Sequence, residues 1–513
     1  MSNHITTILA GALLAIPLAN YLQCSRRPAS PASPAKQASA PQTPSAAQMA
    51  SVPQTPSVAA IDFTAPGPVS AQSTEKLEEL GKRVFFDNIS VPKRMSCATC
   101  HNPAAGWTFK NSGVNLHQVA VPGADPHEAG SIKPPSNAYA SKTGRFRTCD
   151  VAPLNFCGGN FWNGRAEGNP TPLFPGATDN VGAEVFDNAQ ALKPVYERFL
   201  GPTADQALNP FPNTAEQNIE ERQVCRHVES SKYAKLFTIA WGEPINCKDE
   251  PYGGQGFKAF EVNFRRLAVA LSAWQDSKEV NSFSAKRDIA LATDKDGKFP
   301  LDGLTAQENR GHDLFYATFN NPVTIGGVPK FANCTLCHSD NPLTDDGTEK
   351  LQLYSDDSYH NIGVPANPEI VGFPVLNLGL EGHTGDTRHR GAQKTPTLRN
   401  VDKRPGKGFK KAYTHNGWFK SLESLVHFYN TAFIDGETAK AFGLTRCAPT
   451  ANWTAKAALA ANCWPVPEHV ENSAIPFLVG DLKLTAEDEA AIVAYLKTFT
   501  DTQTPTQPKP YKP

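Results

Sequence analysis

GKRVFFDNISVPKRMSCATCH, residues 81–101, has a looser second copy in GHDLFYATFNNPVTIGGVPKFANCTLCH, residues 311–338. Each copy begins on a glycine, Gly81 or Gly311, and carries a phenylalanine four residues on, Phe85 or Phe315. Each ends in C-x-x-C-H: Cys97, Cys100 and His101 in the first, Cys334, Cys337 and His338 in the second. Each also overlaps a segment of helical character, TEKLEELGKRVFF from Thr74 and LTAQENRGHDLFY from Leu304. Two copies of one unit about 235 residues apart imply two related domains, because a solenoid needs more repeats at a shorter period.

The motif has a physical reason for its spacing. Two thiols one helical turn apart can add to the two vinyl groups of a haem, and the imidazole of the next residue then reaches the iron. A zinc site or a redox dithiol does not explain a histidine after both pairs. The expectation is two covalently bound c-type haems, one on Cys97 and Cys100 with His101 on its iron, the other on Cys334 and Cys337 with His338 on its iron.

The flanks fix the context. Ile5 to Leu22 is an almost uncharged apolar run followed by Arg26 and Arg27, so residues 1–23 read as a signal peptide or membrane anchor. Residues 24–70, rich in Pro, Ala and Ser, read as a disordered linker, and residues 501–513 as a disordered tail. Between them lie an N-terminal haem domain, 71–298, and a C-terminal one, 299–500. FKAFEVNFRRLAVALSAW places Phe260, Phe264, Leu267, Leu271 and Trp274 on one helical face, and LTAEDEAAIVAYLKTF opens on a Thr485 cap and an acidic first turn. Strand signals are sparse, and Pro (43) and Gly (37) are abundant, so the fold class is mainly α with long irregular loops. Lys and Arg total 49 against 50 for Asp and Glu, which excludes the basic footprint of a nucleic-acid binder.

Export gives the remaining cysteines a meaning. Of 11, four belong to the motifs and Cys24 lies in the linker; Cys149, Cys157, Cys225, Cys247, Cys447 and Cys463 remain. An even remainder in an oxidising periplasm suits three disulfides, most simply between sequence neighbours. The methionines are Met1, Met49 and Met95. The first two lie in the export segment and linker, and Met95 is too close to Cys97 to cross to the far face of a haem. Neither iron therefore has the His/Met ligation of an electron-transfer cytochrome c. Each is open or takes another donor, and an open ferric haem invites peroxide.

NFWNGRAEG (160–168), KTPTLRNV (394–401), YTHNGWFKSLESLVHFYN (413–430) and the duplicated haem motif together resemble the bacterial dihaem cytochrome c peroxidase superfamily, which includes the MauG-type maturation enzymes. The resemblance covers roughly residues 74–500. It implies two cytochrome-c-like helical domains packed together, an N-terminal haem acting on peroxide and a C-terminal haem that stores or relays electrons. It makes Trp162 the relay between them, where the residue alone reads as a core aromatic. It makes Glu184 the distal acid, where the residue alone reads as a solvated helix-start carboxylate; the segment after Trp162 lacks the family's distal glutamine. Tyr429, fourteen residues after His415, stands where peroxidases have a ligating methionine and the maturation enzyme a tyrosine, so it is expected on the second iron. The residue alone reads as an aromatic on the buried face of its helix. His117, sixteen residues after His101, or His127 is a candidate displaceable ligand of the first iron, each otherwise a loop histidine. Backbone oxygens around Lys410 and Ala412 occupy positions that help bind an interdomain calcium ion in relatives.

The resemblance implies an oxidoreductase of the periplasm, held or released by its N-terminal segment, that reduces hydrogen peroxide with electrons from a small cytochrome c or cupredoxin. The alternatives are a MauG-type enzyme that oxidises side chains of a partner protein through a high-valent dihaem state, and a non-enzymatic dihaem electron carrier.

Overall fold

The face drawn by Phe264, Leu267, Leu271 and Trp274 is buried along helix Ala259–Asp276, with Phe260 packed at its margin. This computed structural model describes residues 68–149, 156–339, 350–370, 372–373, 376–449, 452–476 and 478–512. Its principal helices are α1 (Pro68–Phe86), α2 (Glu221–Glu229), α3 (Ala234–Trp241), α4 (Ala259–Asp276), α5 (Ala306–Tyr316), α6 (Leu422–Thr431) and α7 (Ala486–Lys497). The start of α7 is set by a reciprocal cap. Thr485 Oγ1 accepts from the Asp488 amide at 3.3 Å, and the Asp488 carboxylate accepts from the Thr485 amide at 3.0 Å.

The duplication seen in the sequence reappears as packing. In the N-terminal copy α1 lies against α4, and in the C-terminal copy α5 lies against α7. Gly81 is needed because a Cβ there would run into the carbonyl of Ala270 on α4; Gly311 meets the carbonyl of Ala491 on α7 in the same way. Four residues after each glycine, Phe85 and Phe315 are each 1% exposed, a burial worth roughly 1.5–3 kcal/mol apiece. Around them grow two apolar cores. One joins Leu77, Leu80 and Val84 to Leu267, Leu271 and Trp274; the other joins Leu314 to Ile492, Tyr495, Leu496 and Phe499. Both lie within one compact unit spanning Pro66–Pro513.

Strand content among the described residues is four two-stranded pairs, so the mainly α expectation holds. Tyr359–His360 pairs antiparallel with Gln393–Lys394, and the Lys394 amide donates to the Trp162 carbonyl at 2.8 Å. Three disulfides join sequence neighbours: Cys149–Cys157, Cys225–Cys247 and Cys447–Cys463.

The chain after Thr500 differs from its expected disorder. Asp501 is buried and accepts from the hydroxyl of Tyr139 and the amide of Asn400. Arg83 of α1 bonds the Lys509 carbonyl at 3.0 Å and lies over the Tyr511 ring. Specific polar contacts and one aromatic anchor a segment whose composition alone cannot order it. The signal or anchor segment, residues 1–23, and nearly all of the 24–70 linker lie outside the described residues. Among the described residues no helix is long and apolar enough to cross a membrane.

Candidate active site

Both C-x-x-C-H segments close a single helical turn, the His101 amide bonding the Cys97 carbonyl at 2.9 Å and the His338 amide bonding the Cys334 carbonyl at 2.8 Å. That turn puts the two thiols of each pair on one side. The imidazoles are then aimed by the backbone. His101 Nδ1 donates to the carbonyls of Pro135 (3.0 Å) and Trp107 (3.2 Å), and His338 Nδ1 donates to the carbonyl of Tyr354 (2.9 Å). With the proton fixed on Nδ1, the Nε2 lone pair of each is left as a metal ligand. Burial pushes the His101 pKa down to about 4 and lowers that of His338, so both rings are neutral donors.

Two cavities receive these groups. One, of about 390 Å³, is lined by Cys100, His101, Met95, Trp162, Arg165, Gln206 and Glu216, among others. The other, of about 220 Å³, is mainly apolar and is lined by Cys334, Cys337, His338 and Tyr429, among others. Cys97, Cys100, Cys334 and Cys337 are the cysteines outside disulfides among the described residues. In the wall common to both cavities, the Ser136 hydroxyl is buried without a hydrogen-bond partner, a polar atom suited to meeting a ligand. Paired thiols, pre-oriented imidazoles and this unsatisfied donor fit two covalently attached haems. Cys337 also lies within ligand distance of Asp356 and His360, but attachment through sulfur uses its thiol and leaves only two donors there.

Trp162 belongs to both walls. It is 7% exposed, and its Nε1–H donates to the Lys133 carbonyl at 2.8 Å. The Lys133 ammonium sits over its ring, 6.0 Å from the centroid, and the His415 ring meets it edge to face at 6.3 Å. Burial pushes the Lys133 pKa down to about 8.

The walls facing the two histidines differ. In the C-terminal cavity Tyr429 is supplied by α6, and burial raises its phenol pKa. In the N-terminal cavity Gln206 comes from the short helix Pro202–Leu208 and Glu216 from the Pro- and Asn-rich loop between it and α2. Glu216 accepts from the Asn213 amide at 2.8 Å, and burial raises its carboxyl above the ordinary value against the opposing pull of Asn213 and Arg165.

Glu184 lies elsewhere. It sits on the tight turn Ala183–Phe186, lines neither of these cavities, accepts from the Gly182 amide at 3.0 Å and pairs with Arg265 at 3.4 Å. It is buried with this ion pair within the N-terminal core, apart from the residues that line the two cavities. His117 ends a short helix with its side chain 74% exposed, beside Glu369, and His127 is exposed. Neither lines the cavity, and no second histidine lines it among the described residues. The Lys410 carbonyl already accepts from the Asn115 amide at 2.9 Å. Beside Ala412, the buried Lys411 ammonium donates to the carbonyls of Asn400 and Lys403. With Lys133 close enough to depress it further, this neighbourhood does not fit a divalent cation.

Sequence reasoning missed Gln206 and Glu216. The signal was present as a polar pair bracketing the turn-rich run ALNPFPNTA, displaced far down the chain from Trp162.

Residues 75–296 match the family model described as di-haem cytochrome c peroxidase. The chain is 27% identical to the methylamine utilization protein MauG of Paracoccus denitrificans over 437 residues, covering 83% of this chain and 89% of that protein. It is 23% identical to the cytochrome-c peroxidase IdrP2 of Denitromonas iodatirespirans, covering 74% of this chain and 80% of that one. Among solved structures, the diheme peroxidase BthA of Burkholderia thailandensis superposes with a TM-score of 0.57 at 24% identity, over 85% of this chain and 90% of that chain. With two C-x-x-C-H turns feeding two cavities in a shared helical fold, the chain is similar to the bacterial dihaem cytochrome c peroxidases and MauG-type proteins, a family of oxidoreductases with two c-type haems.

Proposed function

We propose that this protein is a periplasmic dihaem peroxidase that reduces hydrogen peroxide to water with two electrons and two protons. The electrons come from a small cytochrome c or cupredoxin. The observation that carries the reading is the asymmetry of the two cavities across Trp162. The N-terminal one sets Gln206, Arg165 and Glu216, a carboxyl of raised pKa, around His101; the C-terminal one sets the phenol of Tyr429 beside His338 in mainly apolar walls, with Glu468 and His415 at its border with Trp162.

When bound, the haems supply redox-active iron. The chain supplies the rest. Glu216, in the place first given to Glu184, takes the proton from one peroxide oxygen and delivers it to the other, a transfer that suits a carboxyl with its pKa moved toward neutrality. Gln206 and Arg165 orient the small polar substrate. Trp162 carries charge between the cavities, because its ring belongs to both walls and its Nε1–H is held by a backbone carbonyl too weakly basic to remove the proton. Cys97, Cys100, Cys334 and Cys337 hold the cofactors, and His101, His338 and Tyr429 serve as iron ligands. The domain division at 298/299 follows from one such set per core. Calcium is left out of this reading, since Lys133 and Lys411 already supply buried positive charge between the cavities. Three disulfides accord with an exported chain.

Tyr429 favours a second reading. A phenolate ligand stabilises oxidised iron where methionine stabilises reduced iron, which suits a MauG-type enzyme that draws electrons from side chains of a partner protein. Steady-state turnover with reduced cytochrome c tests the choice. Consumption of two equivalents of reduced cytochrome per peroxide supports the peroxidase. Peroxide-dependent oxidation seen only on a protein partner's side chains supports the second reading, and a resting spectrum with both irons low-spin and unmoved by peroxide ends both.

A further inference from the structure

Trp162 is flanked by buried groups of opposite charge. On one face is the Lys133 ammonium, 6.0 Å from the ring centroid. At the ring edge is His415, whose Nε2 bonds the Glu468 carboxylate at 3.0 Å. These groups are locked to one another through the backbone. The Lys133 carbonyl receives the Trp162 Nε1–H at 2.8 Å, and the Lys133 amide donates to the His415 carbonyl at 2.8 Å. Glu468 is fixed in turn by the side-chain amide of Asn416 at 3.0 Å and the backbone amide of Asn377 at 2.8 Å. The His415 and Glu468 side chains are 6% and 7% exposed, so solvent screens them little.

We propose that Lys133 and Glu468 are opposing positioning residues for the electron relay: the ammonium makes Trp162 harder to oxidise, and the carboxylate, acting through His415, makes it easier. The proposal rests on the relay role of Trp162 and goes beyond it. An indole that loses one electron while keeping its Nε1 proton becomes a cation. The Lys133 carbonyl cannot accept that proton permanently, so the positive charge stays on the ring and feels both neighbours. One unit charge 6.0 Å away is worth about a hundredfold in an equilibrium at an effective dielectric constant of about 20, and half of that free energy is about tenfold in a rate. Lys133 therefore acts at a scale that decides how fast charge crosses between the cavities, and Glu468, one ring further off, acts in the opposite sense.

The test uses the holoprotein with both haems attached, mixed with one equivalent of hydrogen peroxide and followed by stopped-flow absorbance. Two rates are read: the first, peroxide-dependent change, and the later change at the C-terminal haem. Lys133→Met, which keeps the backbone carbonyl, speeds the later rate by about tenfold, Glu468→Gln, whose carboxylate lies beyond the His415 ring, slows it by less, and Lys133→Arg restores it. The peroxide-dependent rate stays put in all three. Trp162→Phe separates the two levels of argument: if it leaves the later rate unchanged, the relay reading itself is wrong. If Trp162→Phe slows the later rate while Lys133→Met and Glu468→Gln leave it unmoved, or move it in the same direction, the relay stands and the opposing charges are refuted. Should Lys133→Met fail to take up haem, Lys133→Gln gives the same sign test.

Discussion

The segments Cys97–His101 and Cys334–His338 turn alike, and both imidazoles donate a hydrogen bond from Nδ1 to a backbone carbonyl. Behind them, α1 crosses α4 over Gly81 as α5 crosses α7 over Gly311. Across the cavity the copies part company. The N-terminal one takes polar lining from a short helix and the loop after it, with Gln206 and Glu216; the C-terminal one takes Tyr429 from helix α6. The helix pair and the motif turn are constrained by packing and attachment chemistry, so they keep their form in both copies. The facing wall carries no such constraint and is where a duplicated fold can acquire two chemistries.

The sharpest way to break that contrast is to remove the N-terminal carboxyl. Glu216→Gln is expected to slow the reaction with hydrogen peroxide by about 10²–10⁴-fold, the usual worth of a positioned acid–base group, in stopped-flow measurements on the holoprotein. Glu184→Gln is expected to leave that rate within about threefold and to act instead on stability through the lost Arg265 pair, by roughly 1–3 kcal/mol. Equal effects of the two substitutions on the peroxide rate would restore Glu184 to the site and remove Glu216 from it.

On the C-terminal side, Tyr429→Met should raise the potential of one haem by on the order of 0.1 V and leave the other in place, since axial ligands set haem potentials over a wide range. Spectroelectrochemical titration with electron paramagnetic resonance of the oxidised protein reads both sites at once. An unchanged low-spin signal means that the phenol is a wall residue and that both irons are alike, which collapses the comparison.

A third substitution pair tests whether the two halves are mechanical equivalents. Adding a methyl group at Gly81 or Gly311 forces apart a helix crossing that approaches as closely as backbone allows, at a cost of about 1–3 kcal/mol for each alanine variant. Thermal unfolding of Gly81→Ala and Gly311→Ala should show similar losses, with Gly81→Ala disturbing the N-terminal haem spectrum and Gly311→Ala the C-terminal one. A loss confined to one variant would mean that only one copy depends on the close approach.

The duplicated glycine, phenylalanine and haem motif were legible because each answers to local chemistry: a close crossing, a buried ring, a pair of thioether bonds. The same holds for Thr485, whose cap is readable from four residues. The cysteine pairs were legible as neighbours because short loops close at little entropic cost. Glu216 and Gln206 were not. A long stretch separates them from Trp162, and the one local signal, a polar pair bracketing residues 207–215, does not say that the chain returns to the cavity there. Glu184 misled for the converse reason, since an acid near the expected interval says nothing about the Arg265 that captures it. The contact of Lys133 with His415 spans 282 residues and that of Glu468 with His415 spans 53, and neither leaves a periodic trace.

The smallest effect concerns a charge cluster found in the C-terminal copy, where Asp488 ties α7 to α5. Its carboxylate pairs with Arg310 and Lys330 and caps its own helix. Burial opposes ionisation there, but the hydrogen bonds from Lys330 and Arg310 outweigh it and lower the pKa from 3.8 to about 2. A carboxyl depressed in the folded state contributes stability that is present above its unfolded value and lost as pH falls through its folded value. For Asp488 that window runs from about pH 4 down to about pH 2. Asp488→Asn should therefore unfold at a lower temperature than the parent near neutral pH, and the gap should close across this window in calorimetric scans. A gap that persists unchanged at the acid end would assign the residue's contribution to its helix cap, which asparagine disturbs at every pH, rather than to its charge. In that case the pinning of α5 to α7 would rest on the Gly311 crossing and the apolar core around it, as the pinning of α1 to α4 rests on Gly81 and its own core.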